Sequence, residues 1–228
     1  GRMRAASDIG RWLGRRPGLS LALAVGAGLL VSLALGMQPP DGPVLTRTPV
    51  VASVLDDPGS PRSGAARPDV VVVVFTDYQC GVCKRTDPAL RRLLADDSGV
   101  QVVWKDWPIR GEGSIFAARV ALAAHRQGRY DAVHDALMAA PGALTPERSL
   151  AIAAAAGADP GRLAADLEAH ADALERQIGR HNALAFGLGL QGTPSYVVGP
   201  YLLQGALDDG ALATAVRRAR RAGPPKAP

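Results

Sequence analysis

Two cysteines are the residues of this sequence whose type and spacing could do chemistry. Cys80 and Cys83 are three positions apart, and they are the only cysteines of the chain. They follow the apolar run Val70–Phe75, whose length and β-branched residues predict a buried strand. Leucines at helical spacing in residues 90–94 predict a helix after them. We therefore expect Cys80 at the N-terminus of that helix and Cys83 one turn inside it.

That position would make the thiol of Cys80 reactive. The first amides of a helix have no internal partners and carry about half a positive charge, which lowers the pKa of a thiol and favours the reactive thiolate. Lys84 and Arg85 add positive charge nearby. Because Cys83 is within reach of Cys80, the pair can close into a disulfide that an attacking thiolate reopens. The two cysteines therefore predict thiol–disulfide exchange.

The cysteine pair has three other interpretations. A structural disulfide would close a loop so short that it would restrict the unfolded chain very little. Half of a zinc site would need further ligands, and the four histidines (His125, His134, His170 and His181) lack the close spacing of paired zinc ligands. Two reduced core cysteines without a role are the third. A redox dithiol at a strand–helix junction is favoured over all of them.

Three motifs in order carry a resemblance to a known family. They are Cys80-Gly81-Val82-Cys83-Lys84 with Pro88 and the preceding Phe75, the stretch Trp104-Lys105-Asp106-Trp107-Pro108-Ile109, and the stretch Gly192-Thr193-Pro194-Ser195-Tyr196-Val197-Val198-Gly199. Together they resemble the DsbA-like branch of the thioredoxin superfamily, over roughly residues 48–221. The resemblance implies an α/β thioredoxin fold with an inserted helical domain at about 112–187.

The same resemblance implies roles for the residues of the motifs. Cys80 would be the sulfur that attacks or is attacked, exposed at the tip of the helix, and Cys83 would resolve the mixed disulfide. Thr193 and Pro194, joined by a cis peptide bond, would lie opposite Cys80 and pair with an extended substrate. The residues expected to shape the approach of the substrate are Tyr78, Gln79, Gly81 and Val82. No metal or organic cofactor is implied.

Lys105 and Val74 bear on proton transfer. Lys105 resembles a basic residue that some relatives keep beneath the active site, which implies a proton relay; an ordinary charge at a strand end is the alternative. Many relatives have an acidic residue six positions before the first cysteine. Val74 stands there in this chain, which puts assistance by a buried acid in doubt.

Charge and hydropathy divide the chain. Residues 1–17 and 217–228 carry net charges of +4 and +5, and because the whole chain carries +5, the part between them is mildly acidic. A nucleic-acid-binding surface is therefore not expected. Residues 18–37 contain no charged side chain and are long enough to cross a bilayer. The arginines before them place the N-terminus in the cytoplasm; a cleaved signal peptide is the alternative.

These features predict an order of segments along the chain. They are a basic cytoplasmic segment at 1–17, a transmembrane anchor or uncleaved signal at 18–37, a linker at 38–47, the thioredoxin-like domain at 48–221 and a disordered tail at 222–228. Val50–Leu55 is expected to form a short first strand. Capping signals at Thr145-Pro146 and Asp159-Pro160 each predict the start of a helix, and the helix after Asp159-Pro160 is expected to be long. Asp208-Asp209 predicts the start of the terminal helix.

The function that follows is extracytoplasmic thiol–disulfide exchange at the bacterial inner membrane, with the catalytic domain on the periplasmic side. Formation of disulfides in exported proteins is favoured, with reduction or isomerisation as alternatives. The dipeptide Gly81-Val82 lacks the histidine of the best-known oxidases, so the direction stays open. The expected partners are unfolded or reduced exported proteins and a redox partner, and the chain is expected to be a monomer. A copper metallochaperone using both cysteines and a histidine is a further alternative, as is a chaperone-like binder.

Overall fold

A computed structural model describes residues 42–227. The predicted cytoplasmic segment 1–17, the predicted anchor 18–37 and the first part of the predicted linker lie outside the described residues. Within residues 42–227, no helix combines the length and the apolar character needed to cross a bilayer. The elements in chain order are α1 (Pro49–Asp56), β1 (Arg62–Gly64), β2 (Val70–Thr76), α2 (Gly81–Asp96), β3 (Val100–Asp106), α3 (Glu112–His125), α4 (Tyr130–Ala139), α5 (Pro146–Ala155), α6 (Pro160–Ala169), α7 (Ala171–Gly187), β4 (Ser195–Val198), β5 (Tyr201–Gln204) and α8 (Asp209–Ala222).

Three loops meet at the same edge of the sheet, which is the edge where β2 and β3 end and β4 begins. Its strand order is β1-β3-β2-β4-β5. β2 and β3 are parallel and in register up to the pair Thr76–Asp106, so the segments that follow both strands leave the sheet at the same edge. β4 is antiparallel to β2, with Ser195 opposite Phe75, so the segment that precedes β4 reaches that edge as well. The dithiol motif and Thr193-Pro194 are therefore neighbours.

Residues on the two faces of the sheet enter different cores. Val72 and Val74 of β2 pack in one core with both cysteines, together with α2, α8 and the helices between β3 and β4. Val73 and Phe75 pack in the second core with α1 and the end of α7. A central strand buried on both faces explains why β2 is an uninterrupted apolar run rather than an alternating one.

The predicted first strand at Val50–Leu55 is wrong, because this stretch forms α1. The Thr48 hydroxyl accepts a hydrogen bond from the Val51 N–H at 3.3 Å, and Pro49 occupies the first turn, which together start a helix. Val51, Val54 and Leu55 face the core at helical spacing, whereas Val50 is exposed. The edge strand next to β3 is instead β1.

The second part of the predicted linker is attached to the sheet. The Leu45 N–H donates to the Pro200 carbonyl at 2.7 Å, and the Leu202 N–H donates to the Pro43 carbonyl at 3.0 Å. This segment therefore lies along β5 and covers an edge that would otherwise present unpaired backbone groups.

The tail predicted as disordered at 222–228 also has contacts. The Arg47 N–H donates to the carbonyl of Lys226 at 2.7 Å, and Pro225 is buried. The two ends of the described chain are therefore joined beside the sheet.

Five helices lie between β3 and β4, from Glu112 to Gly187. Two of them start at the predicted caps: Thr145 accepts a hydrogen bond from the Arg148 N–H, and Asp159 accepts one from the Arg162 N–H. The predicted long fourth helix is two helices, α6 and α7, separated at His170. No glycine or proline marks this break, so the sequence pattern gave no signal for it.

Candidate active site

Cys80 is the N-cap of α2. Its backbone is extended, with φ −79° and ψ 110°, and its Sγ accepts a hydrogen bond from the Cys83 N–H at 3.3 Å. The helix therefore begins immediately after Cys80, as predicted, and Cys83 lies in its first turn. The sulfur of Cys80 takes the place of a capping oxygen and lies at the positive end of the helix.

The peptide bond between Thr193 and Pro194 is cis, as expected from the resemblance. The Cys80 thiol donates to the carbonyl oxygen of Thr193, with an Sγ–O distance of 3.3 Å. Residues 113 positions apart in the chain are thus brought together at the sheet edge.

Cys80 is less accessible than predicted. The residue was expected to emerge into solvent, but its side chain is 0% exposed. The reason is that its sulfur is drawn inward by hydrogen bonds to the Cys83 amide and the Thr193 carbonyl. The neighbouring Gly81 is exposed, and Val82 and Thr193 are half-buried, so the sulfur lies close beneath the surface. A substrate sulfur has to replace the Thr193 contact to reach it.

The two thiols have pKa values shifted in opposite directions. Burial would raise the pKa of Cys80, but hydrogen bonds of its sulfur with the Thr193 side chain and with Cys83 outweigh burial and hold the pKa below its ordinary value. Burial, with the hydrogen bond of Cys80 adding to it, raises the pKa of Cys83 to about 12. The thiolate, which is the reactive form of a thiol, is therefore favoured at Cys80 over Cys83.

Asp77 holds the loop before Cys80, and sequence reasoning missed it. Its carboxylate is 1% exposed. It accepts four hydrogen bonds, from the backbone amides of Gln79, Ile109 and Arg110 and from the Ser114 hydroxyl. The Asp77 carbonyl accepts the N–H of Cys80 at 3.1 Å. One buried carboxylate thus fastens the dithiol loop to the segment after β3 and to the start of α3. The only local signal for this role in the sequence was the position of Asp77, which lies just before the dithiol motif and directly after β2.

The residues expected to shape the substrate approach divide into two groups. Gly81 and Val82 lie beside Cys80 at or near the surface. The Tyr78 side chain is 1% exposed and bonds through its hydroxyl to Nδ1 of His134 at 3.0 Å, so it does not reach the surface that a substrate meets. Gln79 is half-buried, and its side-chain oxygen accepts the N–H of Leu144 at 2.9 Å. These last two side chains connect the dithiol loop to the inserted helices.

The charge of Lys84 is directed away from the cysteines. Its ammonium donates to the carbonyl oxygens of Leu137 and Ala140 at the C-terminus of α4. A cation is favourable there because the end of a helix is negative. Burial lowers the pKa of Lys84. Lys84 therefore attaches α2 to the inserted helices.

Replacing Lys84 with methionine should loosen this attachment without disabling the dithiol. We expect Lys84→Met to reduce the free energy of unfolding by about 1–2 kcal/mol, since two carbonyls lose a charged donor. Urea denaturation measures it. Arg85→Met, at the exposed neighbouring position, is the control and should change stability by less than about 0.5 kcal/mol. Equal effects of the two substitutions would contradict the attachment.

Lys105 belongs to a different buried cluster. Its ammonium, 0% exposed, donates to Asp57 Oδ2 at 2.9 Å and to the Ser60 hydroxyl at 2.8 Å. No hydrogen bond or ion pair within residues 42–227 joins Lys105 to either cysteine. The neighbouring residue Trp104 packs in the core that contains the cysteines, and successive residues of a strand face opposite sides of the sheet. The predicted proton relay thus has no described path to the dithiol.

Asp57 makes the contribution of this cluster to the stability of the fold depend on pH. Burial would raise its pKa, but His181 and Lys105 outweigh burial and hold the pKa far below its ordinary value. A carboxyl whose pKa is lowered on folding stabilises the fold above its unfolded pKa of about 3.9, and that stabilisation is lost as the pH falls.

We expect Asp57→Asn to lower the free energy of unfolding by about 3 kcal/mol at pH 7, since Lys105 would be left buried without its partner. The difference between the two proteins should shrink as the pH falls below about 4. Urea denaturation at pH 7, 5 and 3 tests both statements. A difference that stays constant over this range would contradict the assignment.

The copper alternative finds no support in the geometry of the described residues. The one group of metal-ligating side chains close enough to share an ion in residues 42–227 is Asp87, His134 and Asp135, which contains neither cysteine. Arg91 already pairs with Asp135 there.

A mixed sheet, a dithiol at a helix tip and a cis-proline loop opposite it define a protein of the thioredoxin fold. A family model described as the DSBA-like thioredoxin domain matches residues 71–217. The chain belongs to this family. The match includes both cysteines and the Thr193–Pro194 peptide.

Solved structures of similar proteins agree with this assignment. A thioredoxin-like oxidoreductase from Silicibacter pomeroyi is 42% identical, with a TM-score of 0.71 over 75% of this chain and 97% of that one. The thiol-disulfide exchange protein alpha-DsbA2 from Wolbachia pipientis is 30% identical, with a TM-score of 0.70 over 73% and 90%. The catalytic domain of Proteus mirabilis ScsC is 29% identical, with a TM-score of 0.69 over 75% and 94%. With the family, they identify residues 71–217 as a domain of the thiol–disulfide oxidoreductase type.

Two curated relatives are named as antiporters and not as oxidoreductases. Na+/H+ antiporter NhaA 1 of Salinispora arenicola is 30% identical over 158 residues, which is 68% of this chain and 24% of that protein. Na+/H+ antiporter NhaA 3 of Salinispora tropica is 35% identical over 85 residues, or 36% and 13%. This chain thus spans a quarter or less of the length of these two relatives.

Proposed function

We propose that this protein oxidises pairs of cysteines in exported proteins to disulfides. The observation that carries the proposal is the opposite shift of the two thiol pKa values, with Cys80 lowered and Cys83 raised. A stabilised Cys80 thiolate favours the reduced form of the enzyme, and a dithiol with a stable reduced form is a strong oxidant.

The reaction follows from the positions of the two sulfurs. A substrate thiolate attacks Cys80 Sγ of the closed disulfide, the Cys80–Cys83 bond breaks, and Cys83 takes the electron pair and then a proton. The Thr193 carbonyl, released from Cys80, accepts a backbone hydrogen bond from the extended substrate. A second substrate thiolate attacks the substrate sulfur of the mixed disulfide, and Cys80 leaves as the thiolate. A redox partner then restores the disulfide by accepting two electrons.

The equilibrium of the Cys80–Cys83 pair with glutathione tests the direction. We expect a reduction potential less negative than about −200 mV, as in oxidases and isomerases. A potential near about −270 mV would make the protein a reductase. The rate of disulfide formation in a reduced model peptide, compared with the rate of rearrangement of a wrongly paired one, separates the oxidase from the isomerase. Cys80→Ser is the control and should be inactive in both assays.

We further propose that the protein is a monomer whose catalytic domain acts outside the cytoplasm, beside the inner membrane of a bacterium. The uncharged residues 18–37, with arginines before them, support this location. Labelling of Cys80 in intact cells by a membrane-impermeant thiol reagent tests the location. Labelling only after lysis would contradict it, and light scattering of the purified protein tests the monomer.

A further inference from the structure

Opening of the disulfide places a negative charge on a buried sulfur. When a substrate thiolate bonds to Cys80, the electron pair of the broken bond stays on Cys83. The Cys83 side chain is 1% exposed, and burial raises its pKa to about 12. A charge that water does not reach is costly unless a hydrogen-bond donor faces it. Hydrogen bonds with the Thr193 side chain and the Asp77 backbone favour a charge on Cys83, but burial outweighs them. A further donor inside the core would therefore stabilise the forming thiolate.

Tyr196 is a buried polar residue in the same core. It lies on β4, two residues after Pro194, and is 1% exposed. It pairs across the sheet with Val74 of β2, and it packs in the core that contains both cysteines. Its ring therefore extends from the sheet toward the first turns of α2.

The hydroxyl of Tyr196 is at the turn that carries Cys83. It donates to Thr86 Oγ1 at 3.4 Å, which is long for an O–H···O hydrogen bond. Thr86 is one turn after Cys83 in α2, and its own hydroxyl donates to the carbonyl oxygens of Val82 at 3.1 Å and Cys83 at 3.3 Å. The Tyr196 proton is thus held weakly at this turn, and a better acceptor would attract it.

The charges around Tyr196 keep its proton in place. Burial is the main cause that raises its pKa to about 12; the proximity of Cys83 and Asp87 acts in the same direction, and the hydrogen bond with Thr86 opposes them. At neutral pH the side chain is therefore a donor and not a base.

We propose that Tyr196 is the donor that stabilises the Cys83 thiolate. As the disulfide opens, the Tyr196 O–H turns from Thr86 to Cys83 Sγ and donates a hydrogen bond to the forming charge. Cys83 is then protonated, with solvent as the final source of the proton, and the Tyr196 hydroxyl returns to Thr86. In the reverse direction, the same bond holds the thiolate before it attacks Cys80. The proposal rests on the dithiol chemistry and holds for either direction of the enzyme.

Replacing Tyr196 with phenylalanine tests the proposal. The oxidised protein is mixed with excess dithiothreitol, samples are quenched with acid, and the reduced fraction is counted by mass after alkylation. We expect Tyr196→Phe to react about tenfold more slowly, since the forming thiolate loses one hydrogen bond from a neutral donor. The equilibrium constant with glutathione should stay within about twofold of that of the unmodified protein, because Cys83 is a neutral thiol in the reduced protein. If Tyr196 were only structural, Tyr196→Phe would not slow the reaction with dithiothreitol while leaving the equilibrium constant with glutathione unchanged.

Two further variants complete the test. Tyr201→Phe removes the same group from β5, where the residue is half-buried, and should react at the rate of the unmodified protein. Thr86→Val removes the present acceptor of the Tyr196 proton, so it should react at least as fast as the unmodified protein.

The outcomes distinguish this inference from the proposed function. An unmodified protein that does not exchange with dithiothreitol would overturn the dithiol chemistry itself. If that protein exchanges, a Tyr196→Phe rate within about twofold of it, or a slower Thr86→Val, would overturn only the role of Tyr196.

Discussion

Replacing Asp77 with alanine is expected to lower the free energy of unfolding by about 4 kcal/mol. The carboxylate accepts four hydrogen bonds in a buried place. Alanine would leave those donors without a partner, and each buried unsatisfied donor costs about 1–3 kcal/mol, less where the loop can relax toward water. Because the loop also carries Cys80, we expect the exchange rate with dithiothreitol to fall in the molecules that stay folded. Urea denaturation and the exchange assay measure the two effects.

Two variants serve as controls for Asp77→Ala. Asp77→Asn keeps one acceptor oxygen but turns an NH₂ group toward donors, so its loss of stability should be intermediate. Asp96→Ala removes an exposed carboxylate at the far end of α2 and should change stability by less than about 0.5 kcal/mol. A stability of Asp77→Ala equal to that of Asp96→Ala would show that the carboxylate does not hold the loop.

The local parts of the site could be predicted from the sequence. The run Val70–Phe75 and the leucines after the motif have the two periodicities that distinguish a strand from a helix, so the junction and the N-cap position of Cys80 followed from neighbouring residues. The cis peptide at Pro194 could not be obtained that way, since most X–Pro bonds are trans. It was expected only because three motifs in order resemble the DsbA-like branch.

The parts that failed depend on contacts between distant residues. Asp77 acts through the residues that follow β3, more than thirty positions away, and no local pattern announces such a partner. The pairing of Lys105 with Asp57 likewise depends on how α1 packs against the sheet. In α1 itself, the valines suggested a strand, but a cap at Thr48 and tertiary burial of one helical face outweighed their β propensity.

The accessibility of Cys80 was also missed, for a different reason. A helix tip at a sheet edge is normally open, and the sequence contains no bulky residue at Gly81 to close it. The sulfur is covered because the Thr193 carbonyl accepts its proton. The thiol of Cys80 makes this contact in the reduced protein, but in the disulfide Cys80 has no proton to donate. Formation of the disulfide should therefore free the Thr193 carbonyl for a substrate.

Removing Cys83 is expected to have the largest effect on the reaction. In Cys83→Ala, the mixed disulfide between Cys80 and a substrate loses its internal attacker, so adducts that the unmodified protein resolves should accumulate and be visible on non-reducing gels. The backbone N–H at position 83 remains and still donates to Cys80 Sγ. We therefore expect the alkylation rate of Cys80, followed as a function of pH, to reach half of its maximum at a pH below the ordinary thiol pKa of about 8.5.

The reciprocal variant Cys80→Ser is the control for this experiment. Its single thiol, Cys83, is buried, and burial is the main cause that raises its pKa, so at pH 7 it is almost entirely protonated. We expect its alkylation at pH 7 to be at least about 100-fold slower than that of Cys80 in Cys83→Ala. Equal rates would mean that the helix tip and the Thr193 loop do not distinguish the two sulfurs. The assignment of Cys80 as the sulfur that meets the substrate would then be wrong, because it depends on that difference alone.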